Sequence, residues 1–447
     1  MFFAYSLLFT LGLIVTAPFY VWRYRGTSQI RASLGERLGR LAAEFNQAKP
    51  GCIWIHAVSV GETLAVSVLV NKLQTRFPGR KIFISHVTPT GRAAGESRLA
   101  GVAGRFYAPL DWNFAVHRVL DKLKPALLVI VETELWPNLI RAAHQRAAAA
   151  VLVNARLSDR SLKGYRLARP FMRKVLESLD AICAQSEEDA KRFRALGARP
   201  DRVSAAGNLK FDFEAPPPGG FSIALEGALR QAARSPVLIA ASTMPGEEML
   251  VVKAWHAVCK EHPKALLILA PRHPARFNAV AELLQAQQGQ ACVRRTSLGA
   301  DKDAIPSGLA SAGILLLDTI GELAGMFRLA DLVFMGGTLV PRGGHNILEP
   351  AYWGKPILFG PHMENFREIS RLFLAEDAAI QVEDEGEMAD QMLQLLGDEP
   401  RRKLLGESAR RALEKNSGAS DRIVETLSVF LAERETVQTS TPGGMPR

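Results

Sequence analysis

The sequence predicts an α/β protein built as two doubly wound, Rossmann-like domains, each around a parallel sheet. Three observations predict it. Apolar runs of strand length fall in two series, at 52–58, 81–87, 126–131, 149–153 and 181–184 with a weaker run at 202–206, then at 237–241, 265–270, 313–317, 332–335 and 356–359. Helical patterns fill the gaps, and runs apolar on both faces that alternate with helices require parallel pairing through right-handed crossovers. Between the series stands Ala215-Pro216-Pro217-Pro218-Gly219-Gly220, whose prolines fix φ and whose glycines loosen the end, so 215–220 is the expected interdomain linker. A chain of 447 residues exceeds one ordinary core, and 48% apolar residues suffice for two. Ligands of open parallel sheets bind beyond the carboxyl ends of the strands. Two such domains facing across a cleft would hold a donor and an acceptor together.

Outside the sheets, residues 2–22 carry no charge and are rich in Leu, Phe, Ile and Val. As a helix they would reach about 31 Å, enough for a hydrocarbon core. Arg23, Arg25 and Arg31 follow at once, which places the rest of the chain on the cytoplasmic face under the positive-inside rule. Charge after the apolar run, rather than before it, favours an uncleaved anchor over a signal peptide. A monotopic insertion bent at Pro18 and a buried core helix are the alternatives. The expected organisation is an anchor at 1–22, a first domain at 23–214, a second at 221–435 and a disordered polar tail at 436–447. The pattern at 63–77 reads as one helix with Leu64, Val68, Leu69 and Leu73 on one side, and 404–431 is helical, its last turns candidates to pack back on the first domain.

The net charge of +10 fits an anionic partner. Nucleic acid is the weakest such candidate, because aromatics are only 7% and no aromatic–basic repeat offers a stacking platform. Cys52, Cys183, Cys259 and Cys292 have neither C-x-x-C nor zinc spacing and read as small buried side chains in a reducing compartment.

The most informative stretch is Gly343-Gly344-His345-Asn346-Ile347-Leu348-Glu349-Pro350, after the strand at 332–335 and the turn Gly336-Gly337-Thr338. Glycines let a phosphate approach the backbone, and a helix opening there supplies unpaired N–H groups. Glu349 could accept hydrogen bonds from a ribose. The segment thus describes a nucleotide seat, or else a Gly-rich turn with a capping glutamate.

Other polar groups recur after successive strands. Ser59-x-x-Glu62 is a capping box, yet Glu62 also stands where a general base would, ionised with the help of the helix dipole. Glu132 and Glu134, two apart on an extended strand end, would point the same way, as an acid pair or as a solvated loop before the helix begun by Pro137. Lys210 lies just before the linker, where it could reach substrate or remain a surface charge. Ser242 and Thr243 could bind a carboxylate or phosphate. In Pro271-Arg272-His273, Arg272 offers a planar cationic fork and His273 a donor. Thr319-x-x-Glu322 is a second capping box, and the backbone of Gly321, Glu322 and Leu323 could read a nucleobase. No H-E-x-x-H, G-x-S-x-G or Walker loop occurs, and no cluster demands a metal.

Taken in order, HAVSVGET, ETELWPN, GNLKFD, STMPGEE, APRHP, DTIGEL and GGHNILEPA make the chain resemble the 3-deoxy-D-manno-octulosonic acid (Kdo) transferases of Gram-negative bacteria, from the apolar amino end to about residue 430. The resemblance implies a membrane-anchored, metal-independent inverting glycosyltransferase of GT-B fold, without a cofactor. It would move Kdo from CMP-Kdo to a lipid A precursor (lipid IVA) at the cytoplasmic face of the inner membrane, beside anionic lipid. It implies Glu62 as catalytic base, supported by Glu132 and Lys210. CMP would be held by Pro271 and Arg272, by the turn of Gly321, Glu322 and Leu323, and by the helix start of Asn346, Ile347, Leu348 and Glu349. Ser242, Thr243, His273 and Gly337 complete the expected donor site. The alternative is a lipid glycosyltransferase of the same fold that uses a UDP- or GDP-sugar.

Overall fold

The structure, a computed structural model, describes residues 1–24, 28–47, 50–286, 291–298, 309 and 312–439. It divides into two compact units, Met1–Asp212 with Ser417–Arg447, and Phe213–Asn416.

The first unit has seven strands: β1 (Cys52–His56), β2 (Ile82–His86), β3 (Gly104–Tyr107), β4 (Pro125–Val131), β5 (Ala149–Ala155), β6 (Ala181–Ala184) and β7 (Val203–Ala205). All pair in parallel in the order β3-β2-β1-β4-β5-β6-β7, with Ile53 set between Ile82 and Leu127. The order reverses between β1 and β4, the topological switch point of a doubly wound sheet. β1, β2, β4 and β5 are buried along their whole length, which is why they read as continuous apolar runs. β3 is only half buried and begins on Gly104, so the apolar pattern passes over it.

The second unit repeats the plan with β8 (Val237–Thr243), β9 (Leu266–Pro271), β10 (Ala291–Arg294), β11 (Ala312–Leu316), β12 (Leu332–Met335), β13 (Ile357–Phe359) and β14 (Ile380–Gln381). Its parallel order is β10-β11-β9-β8-β12-β13-β14, and the switch point lies between β8 and β12. The edge strands β10 and β14 carry no fully buried residue and escape a hydrophobic reading.

Several expectations change. The helix expected over 63–77 is two helices, Val60–Ala65 and Ser67–Arg76, broken at Val66, whose ψ of 1° is not helical. Val68, Leu69 and Leu73 are buried, but Leu64 faces solvent. The linker expected at 215–220 ends early, because Gly220 already opens the helix Gly220–Gln231. The second domain does not extend to 435: the chain returns to the first unit at Ser417. There the helix Ala419–Thr439 buries Ala419, Ile423, Leu427 and Leu431, spaced by four, against the first sheet. Its amino end is fixed by Asp212, whose carboxylate accepts the backbone N–H groups of Gly418 (2.6 Å), Ala419 (3.3 Å) and Ser420. This helix also takes in 436–439 of the expected tail; 440–447 lie outside the described residues, as does Arg25.

The expected anchor is a helix, Phe2–Tyr24, with Pro18 inside it. Among the described residues, however, no helix is long and apolar enough to cross a membrane. One face of its first turns is committed to the domain. Tyr5 donates to Asp111 (2.9 Å), Trp112 Nε1 to Thr10 (2.9 Å) and Asn138 Nδ2 to Ser6 (3.0 Å), and Phe2 meets Phe171 edge-on at 5.3 Å. Asp111 also accepts the N–H groups of Asn138 and Leu139, so one buried carboxylate caps the helix Pro137–Gln145 and holds the amino-terminal helix. Phe3, Leu7, Leu8, Ile14 and Val15 remain exposed.

Asp212→Ala removes the acceptor of three helix-start N–H groups. It should lower stability by about 1–2 kcal/mol and raise amide exchange over the start of the helix Ala419–Thr439. Chemical denaturation and hydrogen-exchange mass spectrometry check both.

Candidate active site

Polar side chains gather at the carboxyl ends of the strands that flank each switch point, and each unit forms its own cluster.

In the first unit, β1 delivers the chain to Ser59, whose Oγ caps the helix Val60–Ala65 by accepting Glu62 N at 3.3 Å. Ser59 Oγ donates to Glu62 Oε1 (2.8 Å), and Glu62 Oε2 accepts Val58 N (2.8 Å). The capping reading of the sequence is therefore correct. It does not exhaust the residue. Glu62 is 6% exposed, and burial, opposed by the bonds from Val58 and Ser59 and helped by nearby Glu134 and Glu132, raises its carboxyl to about 7. The expectation that the helix dipole keeps it low fails, because desolvation outweighs a dipole of under two turns. A carboxyl titrating near neutrality can take a proton at physiological pH and give it up again.

Beneath it lies a buried polar layer. His86 Nδ1 donates to Ala57 O (3.0 Å) and lies 3.3 Å from Thr63 Oγ1, which itself donates to Ser59 O (2.7 Å). Ser85 Oγ accepts from Trp54 Nε1 (2.8 Å) and meets His56 Nδ1 at 2.9 Å. Burial lowers both imidazoles, His56 to about 3 and His86 to about 4, so they act as neutral braces for the turn that carries Glu62.

Across the switch point, Glu132 follows β4 but not as an extended continuation: its φ is +57°. The alternation argument for Glu132 and Glu134 thus falls, since a left-handed residue ends the strand. The two still lie close enough for Glu132 to raise the Glu134 carboxyl, after burial and against a bond from Trp136 Nε1 (2.8 Å). Glu132 stands between two cations, Lys210 at 3.9 Å and Arg156 at 4.0 Å. Lys210 reaches it because Asn154 Oδ1 accepts Leu209 N (2.9 Å) and pins the turn Leu209–Phe211. Arg156 went unread in the sequence. The expected strand at 149–153 runs to Ala155, and that extension puts Arg156 at a carboxyl end like the other candidates.

In the second unit the organising residue is Glu247, fully buried. Its carboxylate accepts four backbone N–H groups: Met244 (2.9 Å), Gly337 (2.6 Å), Thr338 (2.9 Å) and Leu339 (3.0 Å). This ties the turn after β8 to the turn after β12. Ser242 and Gly337 both take left-handed backbone, at φ +55° and +71°. Thr243 O accepts Arg272 N (3.0 Å), which joins the end of β9 to the same place. Pro271, Arg272, His273, Ser242, Thr243 and Gly337 are thereby brought together. His345, not among the expected site residues, joins them: a Cβ on Gly337 would sit 3.1 Å from its ring. Burial, then the nearby Arg272 and His273, lowers His345 to about 4.

Two expected donor-binding elements differ from their sequence reading. The helix after the glycine pair is a single turn, Leu348–Tyr352, and Asn346 Oδ1 already accepts Leu348 N (3.2 Å) while its Nδ2 reaches Glu349 (3.4 Å). It therefore presents a side-chain amide and a carboxylate more than a row of unpaired N–H groups. At Asp318 no Thr319-capped helix forms; the helix Leu323–Met326 starts from Glu322. Thr319 instead donates to Glu322, whose carboxylate is clamped by Arg295 at 3.0 Å through both Nε and Nη2. Gly321, at φ +91° with open space around it, is the accessible part of that turn. Among the described residues no group of three or more His, Cys, Asp or Glu is arranged to hold a metal ion.

Two parallel α/β units, each with polar groups at its switch point, define the GT-B class of architecture. Consistent with this at the level of fold, the UDP-GlcNAc 2-epimerase of Neisseria meningitidis bound to UDP-GlcNAc superposes with a TM-score of 0.54 and 13% identity, over 84% of this chain and 99% of that one. The family model for 3-deoxy-D-manno-octulosonic-acid transferase (kdotransferase) matches residues 32–213. The 3-deoxy-D-manno-octulosonic acid transferase of Haemophilus influenzae is 34% identical over 402 residues, 90% of this chain and 92% of that one. The enzyme of the same name from Bordetella pertussis is 33% identical over 436 residues, 95% and 99% of the two chains. The chain belongs to the 3-deoxy-D-manno-octulosonic acid transferase family and is a glycosyltransferase.

Glu247→Gln sets an amide N–H against backbone N–H donors. It should destabilise the protein by about 3 kcal/mol or more, measured by chemical denaturation.

Proposed function

We infer that the protein transfers Kdo, with inversion, from CMP-Kdo to a hydroxyl of a lipid A precursor and releases CMP, a step of lipopolysaccharide core synthesis. The observation that carries this is Glu62: a buried carboxyl beside the first switch point, held near neutrality, in a chain of the Kdo transferase family. Glu62 accepts the proton of the acceptor hydroxyl as its oxygen bonds to the anomeric carbon. The bond from that carbon to the cytidylate phosphate breaks, and its electron pair leaves on the phosphate oxygen. Arg272 and His273, exposed at the end of β9, meet that growing charge, which favours the transition state over the bound donor. Glu132, poised between Lys210 and Arg156, supports the transition state from the first unit. Asn346 and Glu349 engage the ribose, and the Gly321 turn reads the base.

The acceptor is a lipid, and the helix Phe2–Tyr24 supports contact with its membrane in a manner other than spanning. With one face bonded to Asp111, Trp112 and Asn138, its opposite apolar face is left for the acyl boundary of the inner membrane. The excess of positive charge attracts anionic lipid on the cytoplasmic leaflet.

Glu62→Gln should retain CMP binding, uncompeted by UDP, while transfer falls by about 10²-fold or more. In the wild type kcat/KM should climb as pH rises through about 7 and then level, because only the ionised carboxylate is a base; the variant should lack that limb. Transfer assays with CMP-Kdo across pH 5–9 read this directly, and a wild-type profile flat through 7 removes Glu62 from the role. Phe3→Glu with Leu8→Glu should lower co-sedimentation with anionic vesicles by about tenfold or more, with the thermal transition unchanged.

A further inference from the structure

The second unit carries a basic cavity at the opposite edge of its sheet from the cluster just described. Its volume is about 530 Å³, and it opens where β8 and β12 begin, whereas the candidate donor residues follow strand ends. Its charged lining is Arg230, Arg234, Arg328 and Lys355 against Glu226 and Asp331.

Most of these charges are committed. Arg234 is spent on three carbonyls, those of Lys264 (2.9 Å), Ala265 (2.7 Å) and Leu309 (3.2 Å). Asp331 accepts Val237 N at 2.7 Å and so belongs to the sheet edge. Glu226 is shared between Arg328 Nη1 (2.6 Å) and Arg230 Nη2 (2.8 Å), one carboxylate for two guanidinium groups. Arg328 also gives Nη2 to Ser222 O (3.0 Å) and keeps only an enclosed Nε without a partner. One cation stands apart. Lys355 is half-buried, and among the described residues no carboxylate lies within 4.0 Å of its ammonium. Burial, then the charge of Arg328, holds Lys355 below the usual lysine range, against an opposing pull from Asp331.

Four cations line the cavity against two carboxylates, and the Lys355 ammonium has no carboxylate beside it among the described residues, so the site is short of an anion. A tetrahedral phosphoryl group suits it: its oxygens accept from several N–H donors at once, and ammonium and guanidinium are its ordinary partners. The volume also leaves room for an organic substituent on the phosphate. We propose that this cavity is a second anion site, distinct from the donor site, that takes a phosphoryl group between Lys355, Arg328 and Arg230. The phosphoryl group is either free in solution or the head group of a lipid.

Titration calorimetry of the full chain with inorganic phosphate, at constant ionic strength, tests it in the wild type, Lys355→Gln and Arg230→Gln, each with and without saturating CMP. The wild type should bind saturably. Lys355→Gln should weaken binding by about tenfold or more, and Arg230→Gln, at an exposed position that folding does not need, should weaken it less. Saturating CMP should leave the Lys355-dependent binding unchanged, which separates this cavity from the proposed donor site. Vesicles of phosphatidylcholine with and without phosphatidic acid form the second arm. A Lys355-dependent preference for phosphatidic acid, without binding of free phosphate, assigns the site to a lipid head group. No binding in either arm, or equal binding by wild type and Lys355→Gln, overturns the proposal, and water then fills the cavity.

Discussion

The second unit depends on one carboxylate. Glu247 accepts four backbone N–H groups from two separate turns and has no contact with solvent. Without it, Gly337, Thr338 and Leu339 would bury three donors with nothing to receive them, a cost no packed interior tolerates cheaply. With it, the turns after β8 and β12 close on each other across the switch point. The remaining contacts build outward from there. Thr338 donates to Met335 O and accepts Gly360 N, Gly344 N returns to Gly337 O, and Arg272 N reaches Thr243 O. The five segments of the proposed nucleotide seat are thus set by a residue that would not touch the nucleotide.

The first unit uses a carboxylate in the same place to the opposite end. Glu62, too, opens a helix after a central strand, but it accepts from only Val58 N and Ser59 Oγ, and two other carboxylates lie near. Fewer donors and similar burial leave its charged form undersupplied. The number of N–H groups that reach each one separates the structural Glu247 from Glu62, the proposed base. The neutral imidazoles beneath Glu62 fit this division: a charged histidine there would supply the missing stabilisation and lower the carboxyl out of a useful range.

Much of the architecture was legible in the sequence, for a stated reason. Strands buried on both faces are uninterrupted apolar runs, so β1, β2, β4, β5, β8, β9 and β12 could be placed to within a few residues. The half-exposed β3, β10 and β14 could not, since nothing apolar marks them. Candidate residues that follow buried strands, such as Glu62, Ser242 and Arg272, could be picked out by position. Arg156 was missed because its strand was ended two residues early, and His345 because the glycine pair beside it drew the reading toward backbone N–H groups. Local rules failed where a distant residue decides. No pattern at Glu132 announces a left-handed φ, and no pattern at Thr319 announces that Arg295 will claim Glu322. The family resemblance added the substrate, which spacing and periodicity do not contain.

The amino-terminal helix shows most clearly how tertiary contacts overrule composition. Twenty-one uncharged residues read as a span, because hydropathy counts all faces of a helix alike. The structure distinguishes the faces. Tyr5, Ser6 and Thr10 lie on the one bonded to Asp111, Asn138 and Trp112, and a helix crossing the bilayer would have to carry those partners into hydrocarbon or abandon them. Asp111 cannot be abandoned at low cost, since it also caps the helix Pro137–Gln145 directly after the segment that carries Glu132 and Glu134. The contact that holds the apolar helix therefore also braces the acidic turn. In the proposed function that economy has a use: the surface proposed to meet the membrane and the turn proposed to support the chemistry share one buried carboxylate.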